Sequence, residues 1–366
     1  MKNHGKTSIT TRMTELCGIE HPIMLSGMNR VTTPALVAAV SNAGGLGVLA
    51  GTRYDADDLR RSIVEIRQLT DKPFGVNVLL GAGSRPRVQI VIDEQVPVVN
   101  YALGRPDDIG KLIDGVHAYG GTVMGSVALL KHAIRAESLG ADMLNVTGSE
   151  AASHAGNVGA LVLIPTVTES VGIPCIGSGG YADGRGLAAA LALGADGIAM
   201  GCRLAATKEA EIPPAVKDAW VKASEEDTVI DRAFDGINCR VLRSRTAEGL
   251  MKRSAFPPFD VITAAVHMKQ ALNLSVAELV KAIGRLRKQS PGLGSGTGGI
   301  ASVMRYAAGR RLFEKAIVEG DIEEGILMTG QTVGRIKDIP TVAEVMERTV
   351  RQAADILAGL TSTAES

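Results

Sequence analysis

The chain has 366 residues, which is long enough for one large domain or two with an ample core. It carries 39 basic and 39 acidic residues, so its net charge is zero and no basic block stands out. This balance argues against nucleic acid or an anionic membrane as a partner. Aromatic residues make up only 3%, too few for binding single-stranded nucleic acid by stacking, while 43 glycines indicate a parallel α/β protein.

The cysteines and the amino terminus indicate the compartment. Cys17, Cys175, Cys202 and Cys239 are scattered and show no CxxC or metal-like spacing, which favours reduced thiols. Residues 1–13 are polar and lack the apolar core of a signal peptide, and no segment approaches the length of a membrane span. We therefore expect a cytoplasmic protein.

Short apolar runs recur in the first part of the chain, each before a loop and a helical segment. From the first run to the last, seven steps average roughly 25 residues, the length of one βα unit in a parallel sheet. The eight predicted strands are Ile23–Ser26, Leu46–Ala50, Phe74–Leu79, Val98–Asn100, Thr122–Ser126, Met143–Val146, Cys175–Ser178 and Gly197–Met200.

The segments between these runs have helical periodicity. The predicted helices are Pro34–Asn42, Ala56–Leu69, Pro106–Tyr119, Val127–Leu139 and Gly184–Leu193. Glycine near the helix ends in SNAGGLGVLA, ESLGADMLNV and LALGADGIAM can stop a helix and turn the chain into the next strand. The alternation predicts an α/β fold, a (β/α)8 TIM barrel. A doubly wound open sheet is the alternative, weakened by the even strand spacing and the absence of an opening GxGxxG.

The pattern changes after the eighth predicted strand. We predict a barrel domain over residues 1–212, a mostly helical insertion or lid over 213–324, and a return to the barrel over 325–366. An amphipathic helix is predicted at Thr341–Leu357. Within the insertion, the glycine-rich segment Pro291–Gly299 is predicted to be a mobile loop or lid hinge, with a plain linker as the alternative.

Two glycine-rich strand ends, Pro174–Gly186 and Asp196–Glu209, indicate a phosphate site. Backbone N–H groups at such loops and helix starts can hold a phosphate without a lysine. His154 lies in the loop after the sixth predicted strand and is a candidate acid/base residue. Because barrels carry their sites at the carboxyl ends of the strands, we expect these groups at one rim. No acidic cluster suits Mg²⁺ and no His/Cys/Asp spacing suits Zn²⁺, so no metal is predicted.

The candidate site residues lie at or just after the carboxyl ends of predicted strands, apart from Asn77, which the third strand carries. They are Ser26, Gly27, Met28, Asn29, Asn77, Ser126, Gly148, Ser149, Glu150, His154, Ser178, Gly179, Gly180, Gly201, Cys202 and Arg203.

Several of these motifs together resemble the nitronate monooxygenase (2-nitropropane dioxygenase-like) family of FMN-dependent barrels. The resemblance rests on PIMLSGM, NAGGLGVL, DKPFGVN, GSEAASHAG, GSGGYADGRGLAAALALGADGIAMGCRLAATKE and MTGQTVG. It runs in order from residue 12 to residue 350 and is least specific in the insertion. The family also includes FMN-dependent enoyl-ACP and enoyl-CoA reductases and NADH:quinone reductases.

The resemblance implies FMN as the cofactor and, in the reductase branch, NADH or NADPH as the electron donor. It implies that Gly179, Gly180, Gly201 and Cys202 offer backbone N–H groups to the phosphate, and that His154 is catalytic. It also implies that Gly27, Met28 and Asn77 lie against the isoalloxazine ring and that Gln331 closes over the cofactor. The remaining cofactor-binding candidates are Ser26, Ser126, Gly148 and Ser178.

The chain departs from the family pattern in three places. The family's EAGGH is EAASH here, so Ala152 and Ser153 replace two glycines and the loop backbone is less permissive. The GTR turn carries Cys202 in place of threonine, which keeps the backbone N–H but weakens a side-chain hydrogen bond. Where some members have lysine, this chain has Ser126 and therefore no cation for an anionic group.

Structural roles compete with functional ones at several residues. His21, His117, His132 and His267 are interpreted as structural or surface residues, and the basic run Arg285–Lys288 as a solvated helix face. Cys202 is interpreted as a small residue in a turn, and Asp183 as the cap of the following helix. For Arg203 a salt bridge and a ligand contact are equally compatible with the sequence.

Four functions are compatible with these features, and the enzymes among them would act on a small-molecule substrate. The first is an FMN-dependent oxidoreductase that oxidises alkyl nitronates with O₂. The second is an NAD(P)H-dependent reductase of an enoyl thioester or a quinone, favoured by the missing cation at Ser126 and by the large insertion. A non-catalytic flavin-binding barrel and a flavin-free barrel acting on a phosphorylated sugar are lesser alternatives. Nothing in the sequence decides between a monomer and a homodimer.

Overall fold

The computed structural model describes residues 8–81, 83–252 and 300–364. The predicted glycine-rich loop at Pro291–Gly299, His267 and the basic run Arg285–Lys288 lie outside the described residues. The chain divides into two compact units, of which the first comprises residues 1–151, 156–211 and 335–366. The second unit comprises residues 152–155 and 212–334.

The first unit is built on eight parallel strands that alternate with helices. All eight predicted strands are present, with ends that differ from the prediction by at most two residues. The strands are β1 (Ile23–Leu25), β2 (Gly47–Ala50), β3 (Phe74–Leu79), β4 (Val98–Ala102), β5 (Thr122–Val127), β6 (Met143–Thr147), β7 (Cys175–Ser178) and β8 (Gly197–Met200).

The sheet closes on itself as a barrel. The strand order is β1-β8-β7-β6-β5-β4-β3-β2, and every pair in it is parallel. A further parallel bridge between Met24 and Leu46 joins the two ends of this order, with N–H···O distances of 2.9 Å (Leu25 to Leu46) and 3.0 Å (Leu46 to Ile23). The predicted (β/α)8 barrel is therefore confirmed.

Four helices of the first unit begin where a short polar side chain caps free backbone N–H groups. Thr33 caps the helix that starts with Pro34, and Asp55 caps the next one. The helices are α1 (Arg12–Cys17), α2 (Pro34–Asn42), α3 (Ala56–Leu69), α4 (Arg85–Asp93), α5 (Pro106–His117), α6 (Leu130–Ser138), α7 (Ala160–Thr168), α8 (Gly184–Ala192), α9 (Cys202–Ala205) and, after the second unit, α13 (Val342–Ala364).

Four helices of the first unit, α1, α4, α7 and α9, were not among the predicted helices. In α7, Pro165 lies inside the helix, where its missing N–H and its ring normally interrupt helical structure. Buried Leu163, Ile164 and Val167 on the same helix show that tertiary packing holds it in place. Helix α13 begins one residue later than predicted, at Val342, and is longer than predicted.

One end of the barrel is closed by α1. The side chain of Met13 is fully buried in a cluster with Met24, Met124 and other strand residues. Arg12 donates from Nε and Nη2 to the two carboxylate oxygens of Asp196, at 2.8 Å each. Because Asp196 directly precedes β8, this pair attaches α1 at the amino end of that strand.

The second unit combines helices with a small sheet. Its described helices are α10 (Pro214–Lys222), α11 (Arg245–Met251) and α12 (Ile300–Ile317), and its antiparallel strands are β9 (Thr228–Asp231) and β10 (Cys239–Leu242). The strands were not predicted, although the Asp235–Gly236 pair between two β-branched runs is a hairpin signal. Their inner side chains pack with Phe234, which is fully buried.

Among the described residues, no helix is both long enough and apolar enough to span a membrane.

The role of α1 can be tested with a matched pair of truncations on the same helix. Met13→Ala removes a side chain with 0% exposure and leaves a cavity, so we expect a loss of about 2–5 kcal/mol of stability. Leu16→Ala removes a side chain that is 41% exposed, and its effect should stay within about 0.5 kcal/mol. Urea unfolding followed by circular dichroism measures both. Equal unfolding midpoints for the two variants would contradict the packing of Met13.

Candidate active site

A chain of polar side chains crosses four neighbouring strands of the barrel. Asn77 on β3 donates from Nδ2 to Oδ1 of Asn100 on β4 at 2.6 Å. Asn100 donates in turn to Oγ of Ser126 on β5 at 3.0 Å, and Nδ2 of Asn145 on β6 donates to the same Oγ at 3.3 Å. Strand register places Asn77 beside Asn100 and Ser126 beside Asn145. We call these four residues the asparagine–serine chain.

One acceptor of the asparagine–serine chain has no partner. Oδ1 of Asn145 is buried and receives no hydrogen bond from any described residue. An unsatisfied buried acceptor lowers the stability of a protein by about 1–3 kcal/mol. A bound molecule that donates a hydrogen bond to Oδ1 would remove this cost.

Two members of the asparagine–serine chain, Asn100 and Asn145, were missed by the sequence prediction. Both are at least 92% buried, with exposures of 3% and 8%. Their signal was available, because each is a lone amide inside an otherwise apolar strand, in VVNYA and MLNVT. An amide in such a position needs hydrogen-bonding partners on neighbouring strands.

The end of β1 lies close to the ends of β3 and β8. A Cβ atom added at Gly27 would lie 2.9 Å from Cβ of Asn77, so only glycine permits this approach. A Cβ added at Gly201 would lie 3.5 Å from Sδ of Met28 and 3.9 Å from Cβ of Ser26. The structure thus brings these five predicted cofactor residues together.

The glycine pair after β7 lies beside the end of β6. Gly179 and Gly180 have φ angles of +89° and +87°, the left-handed region that favours glycine. A Cβ added at Gly179 would lie 3.0 Å from the carbonyl oxygen of Gly148, and the N–H of Gly148 donates to the carbonyl of Ser178 at 2.9 Å. Backbone N–H groups in glycine turns can form an anion-binding concavity.

Glu150, which follows Gly148, has a structural partner. Its carboxylate oxygens accept from the backbone N–H of Ala160, at 2.9 and 3.0 Å, and so cap the start of α7. Negative charge at a helix start is stabilising. This bond orders the loop after β6.

The charged residues near the glycine loops serve the scaffold. Arg203, 5% exposed, donates to the carboxylate and to the backbone carbonyl of Asp338, at 3.0 and 2.8 Å. The salt-bridge interpretation of Arg203 therefore fits the structure. Asp183 caps α8 through the N–H groups of Arg185 and Gly186, and it pairs with Arg335 at 2.5 Å.

These pairs line a cleft of about 400 Å³ beside α8 and α13. Because aspartates neutralise Arg203, Arg335 and Arg348 there, the cleft is not a cluster of uncompensated cations.

The barrel residues fit the FMN that the family resemblance implies. The glycines after β7 and β8 leave room for backbone donors to approach a phosphate. Cys202 is buried and begins α9, directly after Gly201. Oδ1 of Asn145, which has no hydrogen-bond partner, would accept a hydrogen bond from the polar edge of the isoalloxazine ring.

His154 and Gln331 belong to the second unit, and the other predicted site residues to the first. Nε2 of His154 lies 2.5 Å from Oδ2 of Asp235, and Nδ1 lies 3.2 Å from Oγ of Ser153. The His154 side chain is 34% exposed, and that of Asp235 is 1% exposed. Gln331 is exposed and starts a short 3-10 helix, Gln331–Arg335.

A third side chain completes this cluster. The ligand atoms of His154, Asp235 and Cys239 lie within 4.8 Å of one another, and this is the set that could hold a metal among the described residues. Sequence spacing did not reveal it, because 81 residues separate His154 from Asp235. Burial raises the pKa of the Cys239 thiol far above its usual range, so the thiol stays protonated, and the other two side chains satisfy each other by a hydrogen bond.

The fold is that of a (β/α)8 barrel, with glycines and buried polar side chains gathered at the carboxyl ends of its strands. Comparison with known sequences then gives the family. The family model described as nitronate monooxygenase matches residues 10–86 and 80–352. The chain belongs to this family, as its motifs indicated, and it is an oxidoreductase.

The chain is similar to relatives with two kinds of named activity. It is 35% identical over 95% of its length, and over 96% of the relative, to a (3aS,4S,5R,7aS)-5-hydroxy-7a-methyl-1-oxo-octahydro-1H-indene-4-carboxyl-CoA dehydrogenase of Rhodococcus jostii. It is 30% identical over 74% of its length, and over 89% of the relative, to a probable nitronate monooxygenase of Staphylococcus aureus. The solved structure of FabK from Thermotoga maritima aligns with a TM-score of 0.77 and 35% identity, covering 97% of this chain and all of the other.

The phosphate site can be tested by filling the glycine pair. Gly180→Val adds a branched side chain where a phosphate has to approach the backbone, so we expect the purified protein to lose its flavin. The measurement is the ratio of flavin absorbance to protein absorbance.

Gly120→Val is the matched control. Gly120 has a similar φ of +79° and no neighbour within 4 Å of an added Cβ, and it lies in the turn before β5. This control carries the same backbone strain and should keep its flavin. Full flavin occupancy in Gly180→Val would refute the assignment.

Proposed function

We propose that the chain is an FMN-dependent oxidoreductase that oxidises alkyl nitronates, with His154 as its acid/base residue. One observation carries the proposal: the histidine of the matched family motif has a buried carboxylate on one ring nitrogen, 2.5 Å away, and a hydroxyl on the other. The carboxylate fixes the orientation of the ring, and the nitrogen on the hydroxyl side is the one that we propose to exchange a proton.

The barrel residues would hold the cofactor. The backbone N–H groups of Gly179, Gly180, Gly201 and Cys202 would bind the phosphate, and Gly27, Met28 and Asn77 would lie against the ring. The further candidates Ser26, Ser126, Gly148, Ser178 and Gln331 would complete the surroundings. When bound, FMN accepts electrons from the substrate and passes them to an acceptor such as O₂.

His154 would act on the substrate's α-carbon. As a base it would take the α-proton of a nitroalkane and so form the nitronate, and as an acid it would return that proton to the same carbon. The loop that carries it leaves β6 at Thr147, at the carboxyl end of the strand, where barrel enzymes place catalytic groups.

A second candidate function is hydride exchange at the carbons next to an acyl-CoA thioester, with NADH or NADPH as the other electron carrier. The observation that favours it is the share of this chain that each kind of relative matches. The relative named as a carboxyl-CoA dehydrogenase matches 95% of this chain, and the relative named as a nitronate monooxygenase matches 74%. Most of the second unit, residues 212–334, is an insertion long enough to cover a larger substrate such as a CoA thioester.

Anaerobic stopped-flow spectroscopy separates the two functions. The flavin-loaded protein is mixed with propyl-1-nitronate, with NADH or NADPH, or with cyclohexanecarboxyl-CoA, and flavin bleaching is followed. Bleaching by the nitronate, at least tenfold faster than by the other donors, is the expected result. Bleaching by NAD(P)H or the thioester without bleaching by the nitronate would overturn nitronate oxidation and establish the second function.

The role of His154 is tested by His154→Ala. The variant should keep its flavin but lose turnover by about 10²–10⁴-fold, as is typical of a lost acid/base group. His132→Ala is the control, because His132 is an exposed residue of α6 and should leave turnover unchanged. Turnover in His154→Ala equal to that of the unmodified protein would refute the role of His154.

A further inference from the structure

Asp235 is a buried carboxylate with both oxygens in defined hydrogen bonds. Oδ2 lies 2.5 Å from Nε2 of His154, and Oδ1 accepts from the backbone N–H of Ile237 at 3.1 Å. Its side chain is only 1% exposed, although the sequence gives no sign that it belongs to the site. A buried carboxylate needs such partners, because burial of an unpaired charge is costly.

We propose that Asp235 is a positioning residue: it holds His154 in the tautomer that carries the proton on Nε2 and leaves Nδ1 to exchange a proton with the substrate. An ionised carboxylate only accepts hydrogen bonds, so the short contact requires Nε2 to be the donor. The lone pair of the neutral ring is then on Nδ1. This inference rests on the proposed acid/base function of His154 and adds the atom through which it acts.

The neighbouring thiol leaves this assignment intact. Burial raises the pKa of Cys239, and the nearby charge of Asp235 raises it further, so the thiol remains protonated and uncharged. It therefore brings no second negative charge to the cluster. When the His154 ring is protonated, the carboxylate of Asp235 is the negative charge in direct contact with it.

The β9–β10 hairpin holds both sides of the ring. Asp235 lies in its connection, and β10 pairs with the histidine loop: Ser153 N–H donates to the Arg240 carbonyl at 3.1 Å, and Arg240 N–H donates to the Ser153 carbonyl at 2.9 Å. This pairing fixes the backbone next to His154. It also places the Ser153 hydroxyl 3.2 Å from Nδ1, beside the nitrogen proposed to exchange the proton.

Asp235→Asn gives a directional test of the tautomer. The N–H of Ile237 requires an acceptor, so the amide oxygen of the asparagine should take the place of Oδ1. The amide NH₂ then faces Nε2 and donates to it. The His154 proton should move to Nδ1, the nitrogen needed for proton exchange with the substrate.

Two measurements on the full-length, flavin-loaded protein test the proposal. Long-range ¹⁵N–¹H correlation spectra of protein labelled at histidine report the tautomer, with the His154 signals identified by their loss in His154→Ala. We expect the Nε2–H tautomer in the unmodified protein and the Nδ1–H tautomer in Asp235→Asn. We also expect kcat of Asp235→Asn to fall between about tenfold and 10⁴-fold with unchanged flavin content, as happens when a catalytic histidine is held in the wrong tautomer.

Asp231→Asn is the matched control. Asp231 ends β9 in the same hairpin, and its Oδ1 accepts from the N–H of Ala233 at 2.7 Å. This variant should keep the Nε2–H tautomer of His154 and the original kcat.

The outcomes separate the inference from the function on which it rests. An Nδ1–H tautomer in the unmodified protein overturns the inference, and this measurement does not depend on whether Asp235→Asn folds. An unchanged tautomer together with unchanged kcat in Asp235→Asn also overturns it. Full turnover in His154→Ala refutes the acid/base function, whereas an inverted tautomer in Asp235→Asn would still show that Asp235 positions the ring.

Discussion

Parallel strand register is the constraint on which the rim of this barrel depends. Strands that run side by side in one direction bring side chains of equal register together, and here that places Asn77 beside Asn100 and Ser126 beside Asn145. Buried amides have to be hydrogen-bonded, so the asparagine–serine chain runs from strand to strand. It ends on one acceptor, Oδ1 of Asn145, without a donor. The opposite end of the barrel, closed by Met13, is apolar and needs no ligand.

The charged groups beside the glycine loops of the barrel are paired with one another, and the proposed phosphate site is made of backbone. Arg203 is buried against Asp338, and Arg335 pairs with Asp183, so these guanidinium groups are already neutralised. Two consecutive glycines in the left-handed region instead offer backbone N–H groups. A phosphate site formed by backbone N–H groups does not depend on the identity of nearby side chains. It can therefore be the same in proteins that act on different substrates.

The histidine loop, in contrast, has a left-handed backbone conformation at a residue that is not glycine. Ser153 replaces a glycine of the family pattern, yet it keeps the left-handed backbone, with φ of +62°, at a cost of about 1–2 kcal/mol. Two backbone hydrogen bonds to Arg240 offset that cost, and Asp235 holds the neighbouring ring. The loop and its partners all belong to the second unit. The shape of the histidine loop is therefore set by the insertion, the part of the chain in which its resemblance to the family is least specific.

The sequence by itself determined the barrel, because eight apolar runs at even spacing leave few alternatives to eight βα units. Local motifs in the sequence also located the glycine pair and His154. Only the tertiary structure decided which side chains complete the site. Asn100, Asn145 and Asp235 act through partners on other strands or on a distant hairpin, and Asp235 is 81 residues from His154 along the chain. Local patterns report backbone conformation and burial, whereas the pairing of buried polar groups exists only once the strands are in register.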